Sequence, residues 1–218
     1  MGWANKLLGW SSNNGVEVSA KNSLYVTEIP GGNPSFCVAT KTGLIGAAAA
    51  AGAAVFAMRI DPGAGAVKAY IESIKLRFTT TTAFTTPITA TRSIVISRGS
   101  GAASSGGTGI TTATPKDTVY PASEFDLASG GDIRVATTAA LTVTGITWGD
   151  NIAEIPLIHV GAAGAFYEHT YEFSVRNHPF ELNAGQVLGI RVGSSAMDAA
   201  GVWVLGIEVA WQEGSNYS

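Results

Sequence analysis

The clearest pattern in the chain lies near its end. Over residues 202–212, Trp203, Leu205, Ile207, Val209 and Trp211 alternate with Val204, Gly206, Glu208, Ala210 and Gln212. Side chains that alternate with period two belong to a strand with one face buried. At about 3.3 Å per residue this strand spans roughly 36 Å, enough to cross a whole sheet. Upstream of it, residues 171–176 and 180–192 read as strands around the turn formers Asn177-His178-Pro179, and residues 171–212 are predicted to form the closing strand pair.

A second alternation runs over residues 70–80. Tyr70, Ile74, Leu76 and Phe78 share a face and Ser73, Lys75, Arg77 and Thr79 take the other, while Glu72 falls out of phase on the apolar side. The threonine-rich residues 79–91 lead to Arg92-Ser93-Ile94-Val95-Ile96-Ser97-Arg98, and the pattern predicts that these two segments pair. Another strand is expected at Val55-Phe56-Ala57-Met58-Arg59-Ile60, entered from an Ala/Gly-rich run. Loop and short strand are expected over residues 24–42. The Gly/Ser-rich residues 99–114 read as an exposed loop or sheet-edge excursion. Over residues 115–165 the strongest strand candidates are 141–144 and 155–160, with Gly161-Ala162-Ala163-Gly164-Ala165 closing the region. Helical periodicity is confined to short turns near 121–127 and 136–141. Eight to ten strands at roughly 8 to 15 residue spacing predict an all-β chain, an antiparallel β-sandwich or jelly roll over residues 24–218, preceded by an N-terminal arm over residues 1–23.

Composition changes the picture of the surface. Charged residues make up 13% of the chain, against about 25% in an ordinary globular protein, and Gly, Ala, Thr and Ser take their place. A small, neutral exterior beside 46% apolar residues favours coverage by partners or by further copies of the chain. The net charge of −3 comes without a Lys/Arg block, which argues against direct nucleic-acid binding. Residues 44–57 are apolar but fall short of the ~18 needed to cross a bilayer, and they begin too far from Met1 for a signal peptide, so no membrane association is expected. Cys37 is the only cysteine, which excludes an internal disulfide and points to synthesis in a reducing cytoplasm. Two tryptophans within ten residues of the amino terminus require burial, and Trp3, Leu7, Leu8 and Trp10 are the candidate interface residues, either folded back on their own domain or docked as an arm on a neighbouring subunit.

Chemistry is sparse. His159, His169 and His178 show no metal-ligand spacing, and the chain has no Gly-x-Ser-x-Gly elbow. The sequence Gly99-Ser100-Gly101 lacks the Gly-Lys-Ser/Thr and the following helix of a phosphate loop. Glu154, Glu168, Glu172, Glu181 and Glu208 are scattered singly among strands, without the facing pair that glycoside hydrolysis requires. The expectation is a non-enzymatic protein with no cofactor, no catalytic residues and no metal site.

Residues 177–192, Asn-His-Pro-Phe-Glu-Leu-Asn-Ala-Gly-Gln-Val-Leu-Gly-Ile-Arg-Val, resemble the penultimate strand of jelly-roll virion proteins of tailed bacteriophages, and Val209-Ala210-Trp211-Gln212-Glu213 is similar to their final strand. Thr42-Gly43-Leu44 with Val55-Phe56-Ala57-Met58-Arg59, the loop Gly106-Gly107-Thr108 and residues 133–141 are similar to their early, connecting and central segments. The resemblance covers about half of the chain in discontinuous pieces and carries no active site; the tryptophan-rich start lies outside the family pattern. It implies a capsid decoration (cement) protein of the virion, made in the host cytoplasm, a homotrimer clamping subunits of the phage major capsid protein on the outer shell. The alternatives are a tail or baseplate component and a glycan-binding β-sandwich that recognises the host surface.

Overall fold

The computed structural model describes residues 17–18, 24–25, 33–46, 49–84, 92–116, 122–157, 162–173, 180–198 and 200–215. By its internal contacts the chain divides into residues 1–32 and 33–218. In the first unit β1 (Glu17–Val18) pairs antiparallel with β2 (Leu24–Tyr25). The second unit is all-β, two antiparallel sheets packed as a sandwich. Its strands are β3 (Ser35–Lys41), β4 (Ala54–Arg59), β5 (Lys68–Thr82), β6 (Ser93–Gly101), β7 (Thr108–Gly109), β8 (Thr114–Pro115), β9 (Asp132–Val135), β10 (Ile146–Pro156), β11 (Phe166–Glu172), β12 (Phe180–Leu182), β13 (Gln186–Val192) and β14 (Val202–Gly214). A single 3-10 turn, Leu127–Ser129, is the helical element among the described residues. None of them forms a helix long and apolar enough to cross a membrane.

One sheet has the order β10-β6-β13-β4-β9-β7 and the other β11-β5-β14-β3-β8, with β12 also on β5. The alternation expected over residues 202–212 is present: Trp203, Leu205, Ile207, Val209 and Trp211 are all buried, and Glu208 is exposed. They face the other sheet, where Leu188, Ile190 and Val192 of β13 and Phe56 and Met58 of β4 complete the core. Each end of β14 is held by an aromatic cluster. Trp203 stacks on Phe78 with centroids 5.1 Å apart, and Trp211 lies 5.9 Å from Phe36 and meets Phe125 edge-on at 5.2 Å.

Several pairings differ from those the pattern predicts. The closing strands do not form one pair: β13 and β14 belong to opposite sheets and face each other across the core. Likewise β5 and β6 do not pair, because β5 lies between β11 and β14 and β6 between β10 and β13. A half-buried strand is satisfied by any partner that leaves its apolar face inward, so alternation specifies the face and not the neighbour. Residues 180–192 are broken at the Asn183–Gly185 turn, where Gly185 has φ 73°. Residues 141–144 contribute only a bridge, Thr142 to Ser105. The long exposed β10, unmarked by alternation, begins at Ile146.

The misfit at Glu72 has a structural cause. In the pairing with β14, Ala210 opposes Ser73 and Trp211 opposes Ile71, so β5 carries an extra residue at this point. Such a bulge shifts the phase of every side chain beyond it. Ala69 and Ile71, rather than Tyr70 and Glu72, therefore continue the core face of Ile74, Leu76 and Phe78. Tyr70 turns to the opposite side, where its hydroxyl donates to the Ser215 carbonyl at 3.3 Å. Glu72 accepts from Lys116 Nζ at 3.0 Å and from Gln212 Nε2 at 2.6 Å.

This phase shift predicts that Ile71→Ala, which empties a core site, lowers unfolding stability by about 3 kcal/mol. Glu72→Ala, which removes partly solvated polar contacts, lowers it by no more than about 1 kcal/mol. Denaturant titration of the two variants measures the difference.

Candidate functional site

Trp3, Leu7, Leu8 and Trp10, the interface residues expected from the sequence, lie outside the described residues, as do His159 and His178. The remaining residues singled out for chemistry sit apart from one another. His169 is on β11 between Tyr167 and Tyr171, its ring 4.3 Å from the Tyr171 ring. Glu154 accepts from Ser93 Oγ, Glu168 lies 3.3 Å from Lys75 Nζ, and Glu181 takes Lys68 Nζ at 2.7 Å, each on its own strand. Cys37 is half-buried on β3. Among the described residues no group of three or more His, Cys, Asp or Glu converges in a way that could hold a metal ion.

The structure instead assembles a buried polar knot at the carboxyl end of β14. Glu213 follows Trp211 on the core-facing side and is 3% exposed. A carboxyl group there is held only if donors meet it, and three do. Oε1 receives Trp211 Nε1–H at 2.7 Å and the Ser123 hydroxyl at 2.5 Å, and Oε2 receives the Glu124 backbone N–H at 2.9 Å. Asp126, also buried, accepts from the backbone N–H groups of Ala113 and Ser123. The turn 123–126 is thereby pinned to the sandwich, and Phe125 is seated against Trp211. Burial pushes the Glu213 carboxyl above its ordinary value, and the three donors pull it partly back. Burial, with the Asp61 charge added, raises Glu124 in the same direction. The period-two pattern carried one residue pair beyond Trp211 marks Glu213 as an inward carboxylate; Ser123 has no comparable sequence signal.

Two surface features face solvent. On the outer side of the first sheet, the Trp148 ring lies over Gly99 and Gly189, both of which would collide with it if they carried a Cβ. The Arg191 guanidinium stands 4.7 Å from the indole centroid and donates to the Gly52 carbonyl. Beside the ring is a shallow cleft of about 200 Å³, walled by Arg98, Thr147 and Gln186. On the outer side of the second sheet, Ala39 and Gly206 floor a groove of about 210 Å³ flanked by Lys75, Arg77, Glu168 and Glu208. The register accounts for this groove. Gly206 lies opposite Arg77 and Lys41, and Glu208 opposite Lys75 and Ala39, so a small central strip runs between charges of both signs. Neither feature places a nucleophile beside a base; both offer surface for contact. No protein-family model and no curated protein matches this chain.

Two outcomes follow. A carboxyl raised in the folded state binds its proton more tightly there than in the unfolded chain, so its contribution to stability is full below about pH 4.5 and is lost as pH rises through the raised value. Glu213→Gln removes this contribution, and thermal unfolding across about pH 4 to 8 is expected to show a shallower loss of stability with rising pH in the variant than in the parent, the difference being that of about one titrating group. Gly189→Ala pushes the Trp148 ring off the sheet: its indole N–H resonance moves, and stability falls by about 1 to 3 kcal/mol.

Proposed function

We propose that this chain is a non-enzymatic structural protein of a tailed-bacteriophage virion, a cement protein that binds the outer shell and holds neighbouring major capsid protein subunits together. The structural observation that supports the reading is the order of the eight long strands. In chain order they are β3, β4, β5, β6, β10, β11, β13 and β14, and they settle as β11-β5-β14-β3 in one sheet and β10-β6-β13-β4 in the other. Successive long strands cross between sheets except β6 and β10, which pair within one sheet, and β14 ends inserted between β3 and β5, beside the first strand of the sandwich. We read this order as the wrapping of a jelly roll built from two Greek keys, a reading that supports the resemblance of residues 177–192 and 209–213 to jelly-roll virion proteins. A fold alone does not carry a function; the tie to virions rests on that resemblance.

The surface suits the role. A cement protein works by spreading many modest contacts, and symmetric repetition around a shell multiplies each of them. The outer groove along Ala39 and Gly206, with its mixed charges, and the broad face around Trp148 are contact surfaces of that kind. In this reading Trp3, Leu7, Leu8 and Trp10 anchor the chain to the shell, and the cement unit is a homotrimer.

The test uses particles of the phage that encodes the chain. Cryo-electron microscopy of purified particles is expected to show the sandwich on the outer shell at fixed occupancy, and deletion of residues 1–14 to lower that occupancy while the sandwich still folds. Density on the tail replaces the cement reading with the tail-component reading. Absence of the chain from particles rejects both.

A further inference from the structure

The sheet edges of the sandwich are unequal. Unpaired edges invite pairing with other chains, and proteins guard them with short strands, prolines, lysines or bulges. At one end of the sheets β7 and β8 are two residues each, and β8 contains Pro115. At the other end β10 has register shifts between Trp148 and Asn151 and between Asn151 and Ala153, and it ends in Pro156. The neighbouring edge β11 has none of these. Its sequence is Phe-Tyr-Glu-His-Thr-Tyr-Glu, and it pairs with β5 over all seven residues without a shift. Phe166 is 58% and Tyr167 36% exposed.

The direction of its free backbone groups follows from the bonds at its ends. The Phe173 N–H donates to the Glu72 carbonyl and the Thr80 N–H to the Ala165 carbonyl. Antiparallel ladders alternate, so Tyr167, His169 and Tyr171 bond β5, while Phe166, Glu168, Thr170 and Glu172 turn their N–H and C=O groups outward. Among the described residues no strand pairs with that side.

We propose that β11 is a self-association edge: it pairs antiparallel with β11 of a second copy about a two-fold axis at His169, joining the two second sheets into one. In that register Glu168 stands opposite Thr170 of the second copy, and Phe166 opposite Glu172 of the second copy, so every outward N–H and C=O of β11 finds a partner. Tyr167 faces Tyr171 of the second copy at a non-hydrogen-bonded position, where side chains approach most closely and aromatic pairs are favourable. The other registers are worse. An axis at Glu168 opposes that carboxylate to its own copy, and an axis at Thr170 opposes Glu168 to Glu172. An axis at Tyr167 or Tyr171 leaves part of the edge unpaired. This complementarity of β11 to itself selects a second copy of the chain as the occupant. The contact is isologous and does not depend on the virion reading; a trimer formed elsewhere on the chain would appear doubled, as a hexamer.

Light scattering of the purified full chain at high micromolar concentration is expected to give an even multiple of the chain mass. Thr170→Pro deletes an outward N–H and no β5 bond, a substitution an edge strand accepts; it is expected to halve the apparent mass with an unchanged circular dichroism spectrum. In a Cys37→Ser background, His169→Cys places two cysteines about 4.5 Å apart at Cα across the axis, within bridging range. Mild oxidation is expected to link this variant into a disulfide dimer, while Thr170→Cys, further from its own copy, stays unlinked. A monomeric or trimeric parent, a mass unaffected by Thr170→Pro, or no disulfide dimer from His169→Cys overturns the proposal.

Discussion

The fold depends on one strand, β14, burying every second side chain from Trp203 to Trp211 against the other sheet. β14 pairs with both β5 and β3 along most of their extent, and its inward residues include the two largest buried side chains among the described residues, Trp203 and Trp211. Trp203 and Trp211 sit at opposite ends of it, each 0% exposed. Because a one-residue slip would carry both indoles to solvent, burial of the two rings fixes the register of the sheet more strongly than its hydrogen bonds do. The stacked Phe78 and Phe36 then fix β5 and β3 against it.

The same constraint explains where polar groups are tolerated inside. The core side of β14 ends at Glu213, and the pleat gives that carboxyl no route to water. It is held because the turn at 123–126 supplies a hydroxyl and a backbone N–H and Trp211 supplies its indole N–H. The connection between β8 and β9 is thus tied down by the strand that closes the sandwich, although nearly a hundred residues separate them in the chain. At the outer face of the first sheet, glycines do the equivalent work for Trp148. Gly99 and Gly189 stand where any larger residue would displace the ring, and the guanidinium of Arg191, lowered in pKa by its own burial, packs beside it.

Function follows the same logic of faces and edges. Apart from the buried Glu213 knot, charged side chains form single pairs between strands, as Lys68 does with Glu181 and Lys75 with Glu168. What the sandwich offers is area: two broad outer faces with small residues at their centres, and one unguarded strand edge. These surfaces are the ones on which the proposed role rests.

The sequence by itself determined the class of structure and the face of each alternating strand. Period-two spacing from Trp203 to Trp211 and from Ile74 to Phe78 is a local property, and the core matches it residue for residue. The one local misfit, Glu72, was visible as a misfit, but its resolution needed the partner strand, because a bulge exists only as two residues opposing one. Partner choice was likewise beyond local pattern: β5 and β6, adjacent in the chain, part into different sheets, as do β13 and β14, since either arrangement buries the same apolar faces. The Ser123–Glu213 contact, the seat of Trp148 on Gly99 and Gly189 and the outward parity of β11 are all relations between distant segments. Only the tertiary structure decides these, because they are set by which strands become neighbours and in what register, and side-chain alternation carries no record of either.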